Sequence, residues 1–143
     1  VQSRELLLRL VQSVVEATRP DRVVVVDALA AGSADRLCRV IQVTDAGIVP
    51  GSGVGNHRAA LDRASLGVPV IAVGVPTVVD GATLAADLLG TEELPPLGEG
   101  RDLMVTPKDI DSQVADLSKV IGYGIDLALQ PSLTLEDLDL LLS

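Results

Sequence analysis

Apolar residues first recur along the chain at helical spacing. Leu6, Leu7, Leu10, Val11, Val14 and Val15 form one stripe, Ser3 is a suitable N-cap, and Pro20 halts the run. The pattern predicts a helix over 3–18. The period then changes. Four consecutive valines at 23–26 lead into Asp27, and an unbroken β-branched run predicts a central strand buried on both faces that ends at that aspartate. Residues 39–44 (RVIQVT) predict a second strand ending at Asp45, and residues 68–75 (VPVIAVGV) a third. Between the first two strands there is room for a single turn of helix. Helical segments are predicted over 57–65 and from about Thr83. The stretch GTEELPPLGEGR at 90–101 is rich in turn formers and predicts a loop. Beyond it, Thr106 as N-cap, Pro107 at the first helical position and Asp109 in a capping-box-like turn predict the start of a long helix. Gly122 and Gly124 fall inside that helix, where glycine costs stability, so close packing against another element is expected. Thr134 is placed to cap a last helix, TLEDLDLLL.

This order of elements predicts an α/β fold with a mostly parallel central sheet and helices on both faces. With 143 residues and no internal repeat, a single domain over 1–143 is expected. Composition sharpens the picture of the core. Hydrophobic residues are 48% of the chain, yet Phe and Trp are absent and there is one Tyr, so Val, Leu, Ile and Ala must fill the interior. The apolar runs are too short for a membrane span and the first residues lack a signal-peptide pattern, so no membrane association and an intracellular, cytoplasmic location are expected. A lone cysteine, Cys38, makes no internal disulfide. Twenty acidic residues against eleven basic ones give a net charge of −9, which repels nucleic-acid phosphates and argues against direct nucleic-acid binding.

Candidate chemistry begins with GIVPGSGVGNHR at 47–58. Its glycines are spaced G-x-G-x-G, which is not the dinucleotide fingerprint, and the chain's two lysines, Lys108 and Lys119, are far from it. Ser52 lies in P-G-S-G-V rather than in a nucleophile elbow, and His57 is the only histidine. There is no H-E-x-x-H and no cysteine cluster, so neither a metal nor a cofactor is expected. Spacing alone favours a tight loop whose glycines adopt positive φ. The aspartates are the stronger candidates. Asp27, Asp45 and Asp80 follow predicted strands, and in open α/β sheets ligands bind beyond the carboxyl ends of strands. Two neighbouring carboxylates can share a proton and divide acid and base roles. Each could equally cap a local turn through its side chain.

The segments DALAAGSADRLCRVIQVTDAGIVPGSGVGNHR and LGVPVIAVGVPTVVDGATLAAD, with LMVTPKDID and LALQPSLTLEDLDLLL further on, strongly resemble the bacterial germination (spore) protease family. The resemblance runs from about residue 5 to the end. It implies an endopeptidase that degrades small acid-soluble spore proteins in the spore core on germination, made as a zymogen and assembled as a homotetramer. It also implies an α/β fold similar to the hydrogenase-maturation peptidases and an atypical aspartic-type mechanism with two essential aspartates. One of these corresponds to Asp27 in the DALA motif, with Asp45 and Asp80 as candidate supporting carboxylates. The loop residues Gly51, Ser52, Gly53, Gly55 and Asn56 then line a peptide cleft. The family's other aspartate lies in an upstream motif that this sequence does not contain, so the 143 residues read as the C-terminal part of a longer protease chain. Ala46 and Val49 stand where the family reads Thr and His, Gly32 where it often has Arg, and the segment before MVTPK is shorter. Three alternatives stay open: a catalytically incomplete fragment or scaffold of that fold, a hydrogenase-maturation-type peptidase, for which a single histidine is a poor fit, and a nucleotide-binding module.

Overall fold

The computed structural model describes residues 2–50, 60–91 and 103–142. The chain forms two compact units, Val1–Thr106 and Pro107–Ser143.

The first unit opens with helix α1, Gln2–Thr18. It closes when Arg19 turns into the left-handed region at φ 48° and its N–H donates to Val15 O at 2.8 Å. Pro20 then prevents continuation. Strand β1, Val23–Ala31, follows, then a 3-10 turn at Ala34–Arg36 and the short strand β2, Gln42–Thr44. Helix α2, Arg63–Leu66, is held by a reciprocal capping box between Asp62 and Ser65. Strand β3, Val70–Asp80, passes directly into helix α3, Gly81–Leu89, and a two-residue strand β4, Met104–Val105, completes the sheet.

β3 is the central strand, in the order β1-β3-β2, and β4 also pairs with it. β1 runs parallel to β3 over nine registered positions, whereas β2 and β4 are antiparallel to it. The described sheet is therefore mixed, and the expectation of a mostly parallel sheet is corrected. The sequence placed the valine run at the centre, but among the described strands β1 has β3 on one side only. Its exposure alternates from Val25 onward, and Val26 is 51% exposed. The doubly buried strand is β3, where Val70 and Val79 are almost wholly enclosed. Burying each contributes roughly 1.5–3 kcal/mol. Pro76 lies inside β3 and has no N–H for the ladder, and the register with β1 slips there: Leu29 pairs with Pro76 but Ala30 with Val78. A bulge is where a proline inside a sheet is tolerated.

Val73 and Val75 are buried on one face of β3, and a core cluster gathers on the other. Leu61, Leu66 and Val70 form its buried centre, with Leu8 and Val11 of α1 and Val23 and Val25 of β1 packed against it. Gln12 Nε2 donates to Ser65 O at 2.8 Å and ties α1 to α2.

The second unit contains α4, Ile110–Leu129, and α5, Leu135–Leu142. Tyr123 OH donates to Asp139 Oδ1 at 3.1 Å between them. Thr134 caps α5 as its sequence predicts. The Thr134 hydroxyl accepts from Asp137 N at 3.2 Å, and the Asp137 carboxylate accepts from Thr134 N at 2.8 Å. The Thr134 hydroxyl also donates to Asp137 Oδ2 at 2.7 Å, and this bond, followed by that from Thr134 N–H, holds the Asp137 carboxyl below its ordinary range. The start of α4 differs from expectation. Thr106 is not its cap: its hydroxyl donates to Thr77 O at 2.9 Å. The helix begins four residues later, after Asp109, which makes no side-chain cap bond. A Cβ added at Gly122 or Gly124 would meet nothing within 4 Å among the described residues. The expected close packing at these glycines is absent there.

Candidate active site

Asp27 lies in the middle of β1, not at its end, because the following A-L-A-A keeps the strand alternation going to Ala31. Its register partner is Gly74, and Gln42 is paired with the same glycine from the other side. Registered partners share a sheet face, so Asp27, Gly74 and Gln42 form one row across three strands. The preceding row on that face is Val25, Ala72 and Thr44, and before it comes Val23 with Val70 in the apolar core. Asp27 therefore continues the core face as its first charged residue.

The two carboxylate oxygens of Asp27 differ. Oδ1 accepts from Ala28 N at 2.9 Å. Oδ2 is shielded from solvent and has no hydrogen-bond partner among the described residues. An ionised carboxylate can accept about four hydrogen bonds, and a buried oxygen left without any is uncommon outside functional sites. Leu29, two residues on and on the same face, leans over Gly74. A Cβ on Gly74 would overlap Leu29 Cδ1 and stand 2.8 Å from its Cγ.

The three candidate carboxylates are not brought together. Asp45 is exposed and lies one residue past Thr44, which pairs with Ala72. That is three positions along β3 from the Gly74 row, about 10 Å, and two strands across from β1, again about 10 Å. Asp80 ends β3, six positions beyond Gly74, a rise of about 20 Å. Its Oδ1 accepts from Ala82 N at 2.9 Å and Thr83 N at 3.1 Å, as the N-cap of α3. Among the described residues, no three His, Cys, Asp or Glu side chains converge to hold a metal ion.

Of the glycine loop, Gly51, Ser52, Gly53, Gly55, Asn56 and His57 lie outside the described residues. Its base is described. Ile48 and Leu61 exchange two backbone hydrogen bonds, at 3.0 and 2.8 Å, and so clamp the ends of the loop. Gly47 precedes this bridge at φ 84°. A side chain there would reach within 2.5 Å of Leu61 O and 2.6 Å of Asp62 Cβ.

Sequence reasoning passed over Gln42, Gly74 and Leu29. The available signal was the glycine inside VPVIAVGVP, since glycine within a strand marks a close approach by something else.

A family model described as germination protease matches residues 8–90, more than half of the chain. Among curated proteins, the germination protease of Clostridium perfringens strain SM101 is 42% identical over 160 residues, covering 91% of this chain and 49% of that protein. That of Clostridium tetani is 39% identical, covering 91% and 50%. That of Bacillus subtilis strain 168 is 33% identical over 190 residues, covering 90% and 51%. The chain spans about half the length of the curated relatives it matches. Alignments of 160 and 190 residues exceed the chain's own 143, so these relatives carry internal residues that it lacks.

Proposed function

Because the chain belongs to the germination protease family, we propose that it supplies the Asp27 half of a peptide-bond hydrolase that degrades small acid-soluble spore proteins. The observation that carries this reading is the Asp27 carboxylate, with one oxygen held by the strand and the other shielded and without a partner among the described residues. In this reading Asp27 Oδ2 takes a proton from a water as its oxygen attacks the scissile carbonyl carbon. A second carboxyl group then delivers a proton to the leaving amine. The positions of Asp45 and Asp80 favour neither as that second group. The family resemblance supplies it from an upstream aspartate, which makes the mechanism aspartic-type. Asp45 and Asp80 are left with supporting roles, and for Asp80 the α3 cap is one.

The remaining features of the proposal come from the same resemblance. They are a zymogen matured before use, a homotetramer, a location in the spore core, one α/β domain akin to the hydrogenase-maturation peptidases, and the glycine loop as a wall of the peptide cleft. The test is cleavage of a small acid-soluble spore protein, read by mass spectrometry. Asp27→Asn keeps the side-chain shape but removes the base, and the rate is expected to fall about 10²–10⁴-fold. Unchanged cleavage by that variant would refute a catalytic role for Asp27. A second reading, a catalytically incomplete scaffold, is favoured by the separation of Asp27 from Asp45 and Asp80. A folded sample of this chain that cleaves nothing would support it.

A further inference from the structure

Leu29 is a large apolar side chain in a motif otherwise made of aspartate and alanines, and it does not stand upright on β1. Its strand register places it opposite Pro76, yet its side-chain carbons occupy the space where a Cβ on Gly74 would lie. Gly74 is the register partner of Asp27, so this lean carries Leu29 back one row, toward the carboxylate. Three facts coincide at one place: a strand-interior glycine, a leucine filling the space it leaves, and a carboxylate oxygen shut off from solvent with no partner among the described residues.

From this we infer that Leu29, seated on Gly74, is the positioning residue of Asp27. It walls the carboxylate against bulk water and fixes the direction from which a proton donor can reach Oδ2. This rests on the reading of Asp27 as the base. The registered strand positions around Asp27 on that face carry no charged side chain, and Leu29 is the bulky one among them. Val25 and Leu29 flank Asp27 on β1, Ala72, Gly74 and Pro76 face it from β3, and Gln42 and Thr44 from β2. On α1, Glu5 and Arg9 pair with each other in solvent and Glu16 is exposed. Among the described residues, shape rather than a cation is what stands beside the carboxylate. Gly74 is then glycine because the leucine needs its space.

The test is a two-residue cycle in the intact protein, with cleavage of a small acid-soluble spore protein as the assay and circular dichroism as a check on folding. Leu29→Ala is expected to lower kcat on the order of tenfold or more while KM changes less than about twofold, since a misplaced catalytic group costs turnover rather than binding. Gly74→Ala is expected to do the same by displacing the leucine, and the double variant is expected to be no worse than either alone. Leu29→Met, which keeps bulk, is expected to recover most of the rate. A folded Leu29→Ala protein with kcat within about twofold of wild type, while Asp27→Asn abolishes cleavage, would overturn the inference and spare the reading beneath it. So would losses that multiply in the double variant. Normal cleavage by Asp27→Asn would instead remove the base itself.

Discussion

Gly47 and Gly74 are both constrained by space, but by different neighbours. At Gly74 the intruding atoms belong to a side chain, which can swing aside at a cost to whatever it shields. At Gly47 they belong to the backbone of Leu61 and to Asp62, and they cannot retreat without opening the Ile48–Leu61 bridge. Gly47 also has a φ of 84°, where an L-residue is strained. Gly47→Ala is therefore expected to destabilise the fold by about 1–3 kcal/mol. Gly67→Ala is the natural control, with φ 73° but nothing within 4 Å of an added Cβ. Equal losses of Tm in the two variants would show that the crowding at Gly47 is unimportant. At this scale the sequence was legible wherever a residue acts on its own neighbours. Thr134 capping α5 and Asp80 capping α3 need only the next three residues to be understood. Asp27 was legible as a candidate but not in its setting, because its row partners Gly74 and Gln42 are 47 and 15 positions away.

Among the elements, α4 carries two glycines for which the described structure offers no packing reason. Replacing each with alanine is expected to stabilise the helix, by up to about 1 kcal/mol per site. The thermal midpoint of Gly122→Ala and of Gly124→Ala should rise. A fall would mean that a backbone or ligand approaches closely there after all. The strands show what periodicity can and cannot supply. The pattern located all three longer strands, but it ended β1 at Asp27 and β3 before Pro76. Asp27 is polar and Pro76 lacks a donor, so each reads as a stop in one dimension. In the sheet, Asp27 points along a face with alternating exposure, and Pro76 sits at a bulge. Which strand is central is decided by pairing, and pairing leaves little trace in a single strand's composition. β4 is two residues long and has no periodicity to detect. α4 starts later than its sequence predicts because Thr106 spends its hydroxyl on Thr77 O of β3, a non-local bond that competes with capping.

For the whole molecule, charge is the dominant long-range term. The chain carries −9, and among the described residues the ion pair is Arg9–Glu5, with both side chains largely in solvent. An exposed pair of this kind is worth little, whereas unscreened like charge opposes the compact state. Added salt is therefore expected to raise Tm, most steeply below about 0.15 M, where the screening length falls to roughly 8 Å. A Tm that drops with salt would reveal attractive pairs that outweigh the net repulsion. The mapping of this chain onto about half of each curated relative bears on the site in the same global way. Among the described residues, Asp27 Oδ2 is the carboxylate oxygen that is both shielded and without a partner, and that pairing of properties comes from the fold rather than from the string of motifs.

The passage from β3 into α3 has a mechanical consequence. Asp80 is the last residue of the strand and the cap of the helix, Gly81 is the first helical residue, and Gly81 N–H is bonded to Leu103 O at 2.8 Å. No connecting residue is left over to act as a hinge. Strand and helix thus meet without slack, so the direction of the first turn of α3 is set directly by the end of β3, as a bracket is set by the post it is fixed to.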